Sequence, residues 1–146
     1  MKWIEVAAAI IENEAGSILI ARRKAGKSQA GLWEFPGGKI EPGESIEACI
    51  WRELMEELQI EITIKSYFGM HEHPYETANI RLIAYKVTYL RGDIRLIDHD
   101  AYRWVRREEL TEIAFAPAMY CLFRCCKQNW RRNECRPIPI TSSFVT

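Results

Sequence analysis

The chain lacks any apolar run long enough to cross a bilayer. The longest near its start, Val6 to Ile11, stops far short of the about 20 residues that a spanning helix needs. Neither sign of charge is in excess, since 20 Lys and Arg balance 20 Asp and Glu. That balance argues against a strongly basic nucleic-acid binder and against a polyanionic solvating segment. No C-x-x-C occurs among Cys49, Cys121, Cys125, Cys126 and Cys135, which disfavours a zinc ribbon. An odd set of thiols, four of them crowded toward the C-terminus, reads as ordinary reduced cysteine. Lys2 and Glu5 stand where a signal segment would be apolar, so the expected location is the cytoplasm, with no membrane partner. Internal repeats and interdomain linkers are also missing. What is present is 48% hydrophobic and 11% aromatic residues in 146, enough for one domain with its own core.

Residues 3–12, rich in Val, Ile and Ala, suit a buried strand, and Asn13 to Gly16 signals a turn. Residues 17–23 then read as the returning strand of a hairpin. After a polar loop, Leu32 to Ile40 is extended and broken by Gly37 and Gly38. Helices are expected over 45–58, with Ser45 as N-cap, and over 117–129, where Pro117 is tolerated in the first turn. Strands are expected over 60–70, 79–90 and 102–105. The resulting fold class is α/β (α+β), with a domain over 1–130 and a loose tail over 131–146.

The first helix carries the chemistry. At about 100° per residue, Ile46, Ala48, Ile50, Trp51, Leu54, Met55 and Leu58 fill an arc of about 200°, as if packed between two layers. The remaining arc holds Cys49, Arg52, Glu53, Glu56 and Glu57. Glu53 and Glu57 are like charges one turn apart, in the half of the helix where the dipole disfavours anions. Breaches of local rules cluster at functional sites. A hard divalent cation, Mg²⁺ or Mn²⁺, would relieve both, and Lys39 beside two glycines is a natural phosphate partner.

These residues resemble the signature of the Nudix hydrolases, G-x5-E-x7-R-E-U-x-E-E-x-G-U, with U a bulky aliphatic. It runs here as Gly38, Glu44, Arg52-Glu53, Leu54, Glu56-Glu57 and Ile60. Gln59 replaces the family's Gly, which should affect the exit turn of the helix at modest cost. Leu32-Trp33-Glu34-Phe35-Pro36-Gly37-Gly38-Lys39, the opening Ile4 to Ile11, and Phe115-Ala116-Pro117-Ala118 look like the MutT branch. The resemblance implies an α/β/α sandwich with a mixed sheet and Mg²⁺-dependent hydrolysis of a nucleoside triphosphate to monophosphate and pyrophosphate. It makes Glu53 the general base and places metal on Glu53, Glu56, Glu57 and the Gly37 carbonyl. Arg52 would orient the carboxylates and Glu44 would support the loop–helix junction. Asp98, six residues before Trp104, matches an acidic position of the branch, with Asp100 as competitor.

For the substrate, the resemblance puts Arg23, Glu34, Phe35, Gly38, Lys39 and Met119 at the nucleotide. Branch members that read oxidised guanine carry an amide or carboxylate where this chain has Met119, which cannot bond a base edge. That leaves room for CTP or a modified dCTP beside 8-oxo-dGTP. The alternatives are a hydrolase of nucleoside diphosphate-X compounds such as ADP-ribose, and a non-catalytic nucleotide-binding domain. The latter should have lost Glu53, Glu56 or Glu57. Either would act as monomer or homodimer. His71 and His73 share a face if residues 60–73 stay extended, but no third metal ligand is evident near them. His99 is expected only to tune its loop. Cys49 reads as a small filler that thiol reagents could reach. The charge is also unevenly laid out: residues 41–60 hold six Glu against one Arg, and residues 120–146 five basic groups against one Glu.

Overall fold

The computed structural model describes residues 3–125. The end of the expected second helix, the boundary at 130 and the expected tail over 131–146 lie outside the described residues. Strands β1 (Trp3–Glu12), β2 (Ile18–Arg23), β3 (Trp33–Glu34) and β4 (Gly37–Lys39) precede helix α1 (Ile46–Leu58). Strands β5 (Glu61–Pro74), β6 (Asn79–Arg91) and β7 (His99–Val105) follow, then a 3₁₀ turn over Arg107–Glu112 and helix α2 (Pro117–Cys125).

All seven strands join one mixed sheet, ordered β3-β2-β1-β6-β5, with β4 added to β1 and β7 to β2. β1 runs parallel to β6 from Trp3↔Asn79 to Glu12↔Thr88, and the other pairings are antiparallel. A central strand covered on both faces is apolar nearly throughout. In β1, Ala8 and Ile10 enter a core with Phe35, Leu82 and Leu122, while Ala7, Ala9 and Ile11 enter another with Ile50, Leu54 and Leu58. α1 therefore covers one face and α2 the other, which is the expected α/β/α sandwich. Among the described residues no helix is long and apolar enough to cross a membrane.

Several expectations are corrected. The hairpin of β1 and β2 pairs only at Glu12↔Ile18, because β4 takes the antiparallel edge of β1 and β2 turns to β7 and β3. α1 is not packed between two layers: Cys49, Ile50, Leu54 and Leu58 are buried, but Trp51 is 51% exposed. Cys49 sits inside the core and is not accessible to reagents; burial, then the charge of Glu44, pushes its thiol up to about 12. β5 runs four residues beyond 70. Register shifts between Ile64 and Ser66 and between Tyr67 and Gly69 let one strand serve both faces, with Ile62 in the α1 core and Phe68 in the α2 core. β7 begins three residues before the expected 102.

Candidate active site

α1 starts as expected. Ser45 is extended and its hydroxyl accepts the Ala48 N–H at 3.1 Å. The helix ends at Gln59, which takes the left-handed conformation (φ 57°, ψ 41°) and donates its N–H to Met55 O. That is the position where the signature has Gly, and a side chain there costs about 1–2 kcal/mol.

Arg52 is the hub of the acidic face. Its guanidinium grips Glu44 with two bonds of 2.7 and 2.9 Å, donates to Glu53 at 2.9 Å and Glu56 at 3.3 Å, and reaches the Lys39 carbonyl at 3.3 Å. Paired first with Arg52 and then with the Glu41 N–H, Glu44 is held down to about 2. Glu44 thereby pins the loop before α1 to the middle of that helix. Glu56 is 61% exposed on its side chain and Glu53 only 14%, so the face runs from open to enclosed.

Two glycines bring β4 against this face. A Cβ on Gly37 would overlap the Ala7 carbonyl of β1. One on Gly38 would lie 2.5 and 2.6 Å from the two Glu53 carboxylate oxygens. Glu53 thus lies directly on the backbone of β4. Behind it, Glu57 Oε2 is buried with no hydrogen-bond partner among the described residues. Burial, then the charges of Glu53, Glu34 and Asp98, raise the Glu57 carboxyl to about 9. An orphaned buried oxygen among carboxylates fits a divalent cation, the hard-ligand set that such ions take. Asp98 contributes to that field and pairs with Lys27 at 3.1 Å; Asp100 instead bonds Arg22 at 2.7 Å.

The other surface of β4 closes a cavity of about 320 Å³. Arg23, Glu34, Phe35, Gly37, Gly38, Lys39 and Met119 all line it. Glu34 is clamped there by Arg23 at 3.0 Å and by the buried His99 Nε2 at 2.9 Å. Phe35 belongs to the core as well, 1% exposed with its ring 5.2 Å from Phe115. Gly38 is shared: one side supports Glu53 and the other faces the cavity.

A NUDIX domain model matches residues 2–124. The chain belongs to the Nudix hydrolases. Among its relatives is a CTP pyrophosphohydrolase of Escherichia coli K12, 46% identical over 118 residues, which cover 81% of this chain and 87% of that protein. An 8-oxo-dGTP diphosphatase of the same strain is 36% identical over 118 residues, covering 81% and 92%. The MutT protein of Methanosarcina mazei Go1 superposes with TM-score 0.81 at 26% identity, covering 89% of this chain and 96% of that one. Enzymes of this family use divalent metals.

Sequence reasoning missed two features of this hydrolase. His99, expected only to tune its loop, reaches across from β7 to hold Glu34, a contact between positions 65 apart. Tyr75, at the start of the β5–β6 turn, lines the cavity and accepts the Ala118 N–H at 3.0 Å. Neither has a local pattern, since each depends on strand register.

Proposed function

We propose that this Nudix hydrolase cleaves nucleoside triphosphates to the monophosphate and pyrophosphate, with Mg²⁺, or Mn²⁺ in its place, as the divalent ion. The observation that carries the reading is the sharing of Gly38 between the cavity and Glu53. A base held in the cavity delivers its phosphates past Gly38 and Lys39 to the carboxylate face. Glu53, Glu56, Glu57 and the Gly37 carbonyl would hold the metal. When bound, such an ion neutralises phosphoryl oxygens and eases deprotonation of water. Glu53 accepts the proton of the attacking water, the new P–O bond forms, and the P–O bond of the anhydride joining the α- and β-phosphates breaks, so that monophosphate and pyrophosphate part. Arg52 fixes Glu53 and Glu56 in place, and Glu44 fixes Arg52. Asp98 adds negative charge beside Glu57, and Lys39 screens the phosphate chain. The free thiols of Cys49 and Cys121 suit a reducing cytoplasm.

Cytosine is the base this pocket favours. Glu34, clamped by Arg23 and His99, still has lone pairs to accept an exocyclic amine. Met119 offers packing without an edge-reading bond, and the relative at 46% identity is named for CTP. The test is a hydrolysis panel with Mg²⁺, comparing CTP, dCTP, other nucleoside triphosphates, 8-oxo-dGTP and ADP-ribose, with products identified. Pyrophosphate from CTP and dCTP at the highest kcat/KM is expected. Pyrophosphate absent from every triphosphate would sink the reading, and faster turnover of 8-oxo-dGTP would overturn the choice of base.

A further inference from the structure

On the sheet face opposite the carboxylates, β5 and α2 bring together three ligand types that the reaction does not use. His71 pairs with Leu82 and His73 with Ile80, so both imidazoles share the α2 side of the sheet. One ring nitrogen of each and the Cys121 sulfur lie within 4.8 Å of one another. The third ligand that the sequence did not reveal near the histidines is therefore supplied by α2. The two rings are 5.6 Å apart. His71 is only 5% exposed, and its Nε2 has no hydrogen-bond partner among the described residues. Leaving a buried imidazole nitrogen unpaired is costly, so this one points to a missing ligand. Burial lowers both histidines below their ordinary value, which keeps the rings neutral and their lone pairs available.

We propose that His71, His73 and Cys121 form a second metal site, for a borderline-soft divalent ion of the Zn²⁺ class. Two imidazoles and a thiolate suit such an ion, whereas Mg²⁺ prefers the oxygens of α1. With bonds of about 2.0–2.3 Å, a tetrahedral ion spaces its donors roughly 3.3–3.7 Å apart, so the widest pair closes by about 1 Å. Side-chain torsions of half-buried His73 and Cys121 supply that movement, and their partial exposure leaves the fourth position to water. The ion would tie the first turns of α2 to β5. The His73 ring lies 4.7 Å from Tyr75, and Tyr75, Ala118 and Met119 all line the cavity. Occupancy is thereby coupled to the wall of the nucleotide pocket.

The test uses the full chain, reduced, stripped with chelator, resupplied with Mg²⁺ and titrated with Co²⁺. One equivalent should give a thiolate-to-cobalt charge-transfer band in the near ultraviolet and intense visible bands of tetrahedral geometry, both erased by Zn²⁺. Cys121→Ser should abolish the charge-transfer band, and His73→Ala should weaken Co²⁺ binding by more than about tenfold. Circular dichroism confirms that each variant is folded. Glu56→Gln and Glu57→Gln should leave the band intact, which separates this site from the carboxylate face whatever the enzyme's substrate. A charge-transfer band that survives Cys121→Ser, or none in the wild-type chain, overturns the proposal.

Discussion

Replacing Gly38 with alanine should separate catalysis from folding. The new Cβ would lie 2.5 and 2.6 Å from the Glu53 oxygens, whereas contact without repulsion needs about 3.5 Å. The carboxylate must therefore retreat by about 1 Å, stretching the 2.9 Å bond that Arg52 donates to it. A misplacement of that size costs about 10²-fold in rate, equivalent to about 2.7 kcal/mol of activation free energy. The obstructing atoms belong to the end of a flexible side chain, so the fold should lose only about 1 kcal/mol, a few degrees in Tm. Gly37→Ala is the contrast: its Cβ meets the Ala7 carbonyl, backbone of a central strand, and should cost about 3 kcal/mol or more. The assay is kcat for pyrophosphate release at saturating metal and nucleotide, with thermal unfolding in the same buffer. A Gly38→Ala enzyme with wild-type kcat would refute the claim that Glu53 is positioned by contact with β4. So would one that loses activity only in step with its stability.

Glu53→Gln should lower kcat by about 10²–10⁴ with an unchanged unfolding curve, and a near-normal kcat would remove Glu53 from the role of base. Arg52 holds the folded Glu44 carboxyl near 2 against an ordinary 4.5, so its contribution to stability is present above pH 4.5 and lost as pH falls toward 2. Melting curves across that window should slope steeply for wild type and flatten in Arg52→Ala. The raised Glu57 carboxyl works in the opposite sense: the metal-free protein should lose stability as pH climbs above the usual carboxylate range, and Glu57→Gln should remove that loss. Adding Mg²⁺ at neutral pH should release protons from wild type, and equal release from Glu57→Gln would contradict the assignment. His99→Gln removes one anchor of Glu34 and should raise KM for the favoured nucleotide about tenfold while sparing kcat.

What was legible in the sequence was local. Ser45 as N-cap and the shared face of Arg52, Glu53, Glu56 and Glu57 follow from residue spacing along one helix, and the altered exit at Gln59 from the resemblance to the signature. Burial was less legible, because helical periodicity places a side chain on an arc but does not say what covers it. Trp51 sits among apolar neighbours on α1 yet faces outward, while Cys49, on the polar arc, is buried against the Gly38 and Lys39 carbonyls. Strand partners were illegible, since register depends on bulges and on chain far away. His99 meets Glu34, and Cys121 meets His71 and His73, only because β7 pairs with β2 and the β5–β6 register shifts three times before His71.

The order in which the chain is made gives the parallel pairing of β1 with β6 a consequence in time. β1 is synthesised first, but the strand that runs beside all ten of its residues emerges only after α1 and β5. At about 5–20 residues per second, a strand of bare Ala and Ile backbone waits several seconds for its neighbour. Until then β1 has only β2 and β4 to join, and it remains open to association with other nascent chains. Arrival of β6 completes the sheet beneath α1 and its acidic face, whereas the base cavity waits longer still, for His99 of β7 and Met119 of α2.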